Sequence, residues 1–474
     1  MPDSRTLLRA GGRGVAVLGA AVLTVAAFGA AAIVPWPEHR AEPLARSIQP
    51  AESRTLRVCP GPMLELGDDA ESVSTLGSAR IVTATQPADA GAERVVLAPP
   101  RGTEDDVAVS LVTDPGAVDA GMLAGAQSQR LTTETAAGFL AAGCAEPLAD
   151  AWLAGGSTEL GRSTMLLLAN PGEVAATVDV RVHSETGPVE APSGLGLIVQ
   201  PGGQRVISIA GLAPGAAAPV VHVTSTGGTV AATLEQTSID VLTPTGAELI
   251  GTTAPPAKRQ TITGVVVPQA GGIAVDEDHA EGDAHPSLRL LAPGTDAVEA
   301  AVSVVPEAGG EGSVFNVVLQ PGQVSDIPLG ELAAGEYTVR IDADGEFVAA
   351  ARTATTAGGD EPPSDFAWFP ASLPLLEETL IAVPRGPGAK LHFANTGDAD
   401  VEASVTTDDD GERRVTVPAG GAVSVPMPGG GGSAFVADGA GLFASLSFAG
   451  DRQLAGVAVQ PPGPLDSPIV VYPR

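Results

Sequence analysis

The chain is short of lysine, of aromatic rings and of cysteine, and each shortage narrows what it can do. Of 25 basic residues only Lys258 and Lys390 are lysine, so lysine-assisted serine chemistry has little to draw on. Acidic residues number 56 and the net charge is −31. A surface of that sign repels phosphate chains and anionic headgroups at long range, which argues against nucleic acid as a partner. Aromatics are 3% of the chain, so apolar area must come from many small aliphatic side chains, and few rings remain to stack on sugars. Reactive motifs are missing too: there is no nucleophile elbow, paired-histidine metal motif, phosphate loop, Ser-x-x-Lys pattern or Gly-x-Gly-x-x-Gly at a helix start. Paired carboxylates could hydrolyse a glycosidic bond, but the sequence cannot pair any two of the acids. Sustained helical periodicity is confined to the N-terminal apolar run, apart from residues 132–143, which read as one short helix.

What is abundant is small and turn-prone. Hydrophobic residues are 44%, with 59 Gly and 41 Pro in 474 residues, a length suited to three or four domains. Gly14–Val34 is a 21-residue uncharged run behind Arg5, Arg9 and Arg13. It is long enough to cross about 30 Å of hydrocarbon as a helix, with the short tail cytoplasmic. Pro35-Trp36-Pro37 ends it. A signal peptide cleaved near Ala30-Ala31-Ala32 is the competing reading, and no cysteine follows closely enough for lipid modification. Either way the chain from about residue 35 lies outside the cytoplasm. There Cys59 and Cys144 are most simply one disulfide, with two buried thiols as the alternative. No histidine stands near either as a catalytic partner.

The phrase "LLLANPGEVAATVDVRV" (166–182) recurs as "LRLLAPGTDAVEAAVSV" (288–304) and "LHFANTGDADVEASVTT" (391–407). Counting from Gly172, Gly294 and Gly397, one parity carries Val178/Val180/Val182, Ala300/Val302/Val304 and Ala403/Val405/Thr407, and the other is mostly polar. That is a strand with one buried face, three times over. Pro171-Gly172 and Pro293-Gly294 suit a type II turn with glycine at positive φ. Further turn phrases at Gly202, Gly322 and Gly420 follow, then hairpins around Gly227-Gly228 and Asp344-Gly345. At least six short strands per repeat point to β-sandwich modules. The fold expected is all-β: tandem immunoglobulin-like β-sandwich modules after one N-terminal transmembrane helix, the copies standing in a row rather than closing about a threefold axis. The division is 1–13 tail, 14–34 anchor, 35–57 stalk, 58–150 disulfide-closed β domain (a degenerate fourth copy is conceivable), and repeats at 151–260, 261–365 and 366–474. "EPLADAWLAGG" (146–156) and "EPPSDFAWFPA" (361–371) read as matching linkers, with Trp152 and Trp368 packed under the junctions so that the modules dock.

The weak metal candidates are Asp276, Asp278, His279, Asp283 and His285 in "DEDHAEGDAH", whose carboxylates and imidazoles suit a divalent ion. A solvated loop is the plainer reading, and no cofactor is expected. The combination of "CPGP" (59–62), "CAEP" (144–147), "DAW" (150–152) and "LLLANP" (166–171) after an apolar N-terminus resembles a family of actinobacterial membrane-anchored or secreted envelope proteins of unknown function. The resemblance implies the cell envelope of a GC-rich Gram-positive organism and carries no activity or catalytic residues. The function expected is a non-catalytic extracytoplasmic binding or scaffolding protein, single-pass through residues 14–34, with an envelope protein or wall polymer as partner. The alternatives are a wall-glycan-binding accessory to a membrane glycosyltransferase and a carboxylate-based hydrolase.

Overall fold

The computed structural model describes residues 46–48, 54–67, 72–103, 107–269, 285–356, 363–408, 411–462 and 469–471. The expected anchor at 14–34 and the metal candidates Asp276, Asp278, His279 and Asp283 lie outside them; His285 is half-buried. No helix among the described residues is long and apolar enough to cross a membrane. Their regular structure is β-strand, with three one-turn 3-10 helices. Two compact units are distinguished, residues 51–466 and residues 1–50 with 467–474. In the smaller, Arg46–Ile48 pairs antiparallel with Ile469–Val471.

Within residues 51–466 the recurring phrases build three related pairs of sheets, with Leu197–Val199 an extra strand on Ala176–Ser184 in the first repeat. The first repeat has one sheet ordered Asp150–Ala154, Val220–Gly227, Ala176–Ser184, Gly187–Val189, and another ordered Gly203–Ser208, Arg162–Asn170, Ala231–Asp240, Thr243–Ile250. The third repeats this with Glu378–Val383, Gly432–Ala437, Val401–Thr407, Gly411–Val417 facing Ala422–Pro426, Lys390–Ala394, Phe443–Gly450, Gln453–Ala458. In the second, the 22-residue strand Gly335–Thr356 serves both sheets: its first part pairs with Val298–Pro306 and Ala257–Val267, its last part with Ser287–Leu291 and Pro363–Pro370. The alternation read from the sequence is what each core is made of. Val180, Val302 and Val405 are all 0–1% exposed, each inside its own aliphatic cluster.

Several expectations are corrected here. The glycine phrases are not hairpins: Val220–Gly227 and Ala231–Asp240 lie in different sheets, and Gly335–Thr356 runs unbroken through Asp344-Gly345. The first and third phrases are arches that carry the chain from one sheet to the facing one, whereas in the second a single strand passes from one sheet to the other, so the segments on either side turn their apolar rows into the same core. Nor are Gly172, Gly294 and Gly397 at positive φ, so a type II turn does not form there; the later Gly202, Gly322 and Gly420 do take φ of 58–71°. The first arch is held instead by asparagine. Asn170 Oδ1 accepts from Gly172 N–H (3.0 Å) and its Nδ2 donates to the carbonyls of Val174 and Val199. Asn395 does the same with Gly397, Ala399 and Val417. An Asx turn of this kind satisfies the backbone without demanding left-handed geometry. The two supposed linkers are strands, and not equivalent ones: Asp150–Ala154 opens the first repeat, whereas Pro363–Pro370 closes the second. The cuts at 260/261 and 365/366 fall inside the strands Ala257–Val267 and Pro363–Pro370.

Residues 54–145 add the three-stranded sheets Leu56–Cys59, Val109–Val112, Glu93–Val96 and Arg80–Thr85, Leu123–Thr132, Ala137–Gly143, with Cys59 and Cys144 joined as a disulfide. The stretch expected as a helix, 132–143, is thus mainly strand Ala137–Gly143. Its alanines favour helix intrinsically, but tertiary packing overrides that weak preference. It packs against Thr243–Ile250 and Gln453–Ala458, and Pro363–Pro370 packs against those same two strands. The last strands of the three repeats and this fourth strand therefore close into a ring of inner strands. The copies are not independent beads on a string.

Candidate functional site

Inner strands in such a ring belong to different sheets, so some of their backbone N–H groups point at one another's edges with no ladder to receive them. Two buried carboxylates receive them. Asp365, 0% exposed, accepts from the N–H groups of Phe139, Ala247, Phe366 and Leu454, one from each inner strand. Glu248, also 0% exposed, accepts from Leu249, Trp368 and Gly456. Burial pushes both carboxyls well above the ordinary range, against the donors that pull them down. Gly138 has to be glycine: at φ +152° a Cβ there would lie 2.6 Å from Asp365 Oδ1 and 2.8 Å from Ala247 N.

The C-terminal ends of all four inner strands line a cavity of about 370 Å³, within the range of small-molecule sites. Ala141–Gly143, Leu249, Pro370 and Gly456–Ala458 come from the ring; Leu123–Gly125, Trp152, and Thr379–Ala382 complete the walls. Where inner strands approach closely only glycine fits: a Cβ at Gly456 would lie 2.5 Å from Phe369 Cδ1 and 2.8 Å from the Trp368 carbonyl oxygen. At one side Arg57, Gly121, Glu146 and Pro462 also border a smaller cavity of about 90 Å³. There Arg57 Nη1 pairs with Glu146 Oε2 at 3.1 Å. Asp150, also on the lining, lies 3.1 Å from His222 Nε2, and His222 stacks on Trp152 at 3.8 Å and 9°. The Thr379 hydroxyl is buried without a hydrogen-bond partner.

A second constellation joins the second and third repeats. Glu307 Oε2 lies 2.6 Å from His392 Nδ1, and His392 Nε2 lies 2.7 Å from Ser447 Oγ. Glu307 Oε1 accepts from Gly264 N–H and from the Thr338 hydroxyl. Glu336 accepts from Lys390 and from Ser424 Oγ; burial raises its pKa, but these hydrogen bonds together with the electrostatic influence of His392 and Lys390 hold it below the usual carboxylate value. The order carboxylate, imidazole, hydroxyl is that of a nucleophile relay. Yet His392 is 0% and Ser447 1% exposed, and the Glu307 side chain is 2% exposed, so no substrate bond reaches the hydroxyl in this conformation. Ligand atoms of Glu307, Glu336 and His392 stand within 4.8 Å of one another, as a divalent ion would need. Each already has hydrogen-bond partners, an ammonium among them, so the cluster is satisfied as a polar contact between repeats.

Of the residues singled out from sequence, Trp152 lies on the cavity wall. Trp368 is 1% exposed on an inner strand, donating Nε1–H to Gln236 of the first repeat, under Arg289, whose guanidinium sits 4.5 Å from the ring. Gly172, Gly294 and Gly397 mark arches and belong neither to the cavity lining nor to the Glu307–His392–Ser447 contact. Sequence reasoning missed Asp365, Glu248, Thr379 and the Glu307–His392–Ser447 chain. A weak signal existed for Asp365 and Glu248: each is a lone acid inside an apolar strand, in "PSDFAWFP" and "TGAELI".

Residues 101–428 match the model of a family described as a Family of unknown function (DUF5719). No curated protein and no solved structure matches the chain.

Proposed function

The chain belongs to the DUF5719 family of unknown function, and from that premise we propose that it is a non-catalytic extracytoplasmic binding protein whose ligand occupies the cavity at the ends of the inner strands. The observation that carries this reading is the cavity itself: four chain segments from distant parts of the sequence converge to wall about 370 Å³ of largely apolar space, at the edge of a ring held by buried carboxylates. We read the three sheet pairs as immunoglobulin-like modules that scaffold this site, and residues 14–34 as the anchor holding it at the outer face of a cell envelope. The hydrophobicity and length of that run, its arginines, and the CPGP/CAEP/DAW/LLLANP pattern support this placement.

The wall-glycan alternative loses support from the rings. Among the described residues no Trp, Tyr or Phe is exposed and only Phe315, Phe435 and Phe443 are half-buried, so little aromatic face is offered to a sugar. The paired-carboxylate hydrolase gains no support either: Glu248 and Asp365, the acids close enough to feel each other's charge, are closed to solvent, as is the Glu307–His392–Ser447 relay. In cells lacking the native chain, Ser447→Ala should restore the phenotype in full. Ala458→Phe, which fills the cavity from its half-exposed wall, should fail to restore it while the protein remains folded and at normal abundance. The reverse pattern, loss with Ser447→Ala and rescue with Ala458→Phe, would overturn the proposal.

A further inference from the structure

Resting on the binding reading above, the geometry points to the class of ligand: we infer that the cavity takes a single-chain aliphatic molecule with an uncharged, hydrogen-bond-accepting head. Four features of the lining converge on this. First, the wall is built from small aliphatic groups such as Ala141, Ala142, Ala458 and Leu249, complementary to methylene or isoprenoid chains rather than planar rings. Its one aromatic, Trp152, already has a stacking partner in His222. Second, on the lining Arg57 pairs with Glu146 and Asp150 hydrogen-bonds His222. Neither lysine contributes, so a phosphate or carboxylate head would enter without a cation to receive it and would meet acidic groups, at an uncompensated desolvation cost. Third, the volume of about 370 Å³ sits near the lower end of the range for small-molecule sites, suited to one chain and too small for a two-chain lipid.

The fourth feature is Thr379. It is 3% exposed, it lies on the lining, and its hydroxyl has no hydrogen-bond partner. A buried donor left unmade is costly in a native protein. Turned toward the cavity by rotation about χ1, that hydroxyl would donate to an ester, ether or alcohol oxygen of the ligand. In this arrangement the polar atom of the ligand lies beside Thr379 and its tail against the alanines and glycines of the lining.

The test uses the full chain and three ten-carbon probes that differ only in head: 1-decanol, decanoate and decyltrimethylammonium, measured by titration calorimetry. Saturable binding of 1-decanol is expected, at least tenfold tighter than either charged probe. Thr379→Val should weaken it several-fold, and Ala458→Phe should abolish it with unchanged thermal unfolding; Ala145→Leu, another half-exposed wall position, serves if Ala458→Phe does not fold. Tighter binding of decanoate, or 1-decanol binding unaffected by Ala458→Phe and Ala145→Leu, overturns the inference. Failure of the two readings can be told apart. If no probe binds but Ala458→Phe still destroys the cellular phenotype, the ligand class is wrong and the cavity keeps its role. If 1-decanol binds and Ala458→Phe removes binding without touching the phenotype, the chemistry holds and the biological reading falls.

Discussion

Buried acids are the residues that set this protein apart from an ordinary stack of sheets. Glu235, 1% exposed, offers both oxygens to the N–H of Leu64 at 3.2 and 3.3 Å, and burial pushes its pKa well above the usual 4.5. A carboxyl whose folded pKa is raised binds its proton more tightly when folded. Its contribution to stability is therefore complete below the unfolded pKa and is lost as pH climbs from there towards the folded value. Asp365 and Glu248 act in the same direction. The thermal midpoint should accordingly fall as pH rises above about 4.5. Glu235→Gln should flatten that slope by up to about 1.4 kcal/mol per pH unit, one proton's worth; a parallel slope in the variant would contradict the assignment. Asp365→Ala is a different lesion, because it strips the acceptor from N–H groups on all four inner strands. Leaving those donors orphaned should cost about 3–5 kcal/mol, read as a drop in the urea midpoint.

At the scale of the element, hairpins and arches carry different burdens. The hairpin between Ala231–Asp240 and Thr243–Ile250 is tipped by Val241 at φ +56° and Leu242, 88% and 86% exposed. A β-branched residue in the left-handed region is strained, and neither side chain is buried in return. The matching hairpin of the third repeat puts Arg452 at φ +54°. Val241→Gly should therefore stabilise the protein by about 1 kcal/mol despite glycine's entropy in the unfolded chain, visible as a higher midpoint in thermal unfolding with binding unchanged. The arches are less forgiving. Asn170 and Asn395 each make the same three local hydrogen bonds, whereas the second repeat has Ala292 at that place and closes its arch by Gly322 N–H donating to the Ala292 carbonyl. One geometry is thus reached by two routes, which is why the phrase recurs in outline while its letters drift.

Over the larger compact unit, residues 51–466, stability depends on closing the ring. The Cys59–Cys144 disulfide spans 85 residues. It pins the edge of the sheet containing Leu56–Cys59 to the end of the fourth inner strand, with Leu111 and Leu123 packed around the sulfurs. Chain-entropy reasoning assigns a loop of that size roughly 4–5 kcal/mol. The Cys59→Ala/Cys144→Ala double variant should lose a comparable amount in urea unfolding. It should also weaken cavity binding, because Ala141–Ala145 form part of the wall. A variant as stable as the parent would show that the inner strand is held by packing alone.

The sequence by itself determined the alternation: period-two patterns with Val180, Val302 and Val405 turned inward dictate strands with one apolar face, and three repeats of that pattern dictate three like cores. It also made one disulfide the simplest reading of Cys59 and Cys144, which the structure bears out. What it could not convey was which strand faces which sheet. A glycine phrase reads alike in a hairpin and in an arch, since both need only a short reversal, and the choice rests on where the next apolar row finds a core. The ring, the acids Asp365 and Glu248 that satisfy it, the Glu307–His392 contact and the cavity all join residues more than 80 positions apart. Tertiary structure alone decided these, because backbone donors stranded at sheet edges have to be satisfied by whatever the distant chain brings to them.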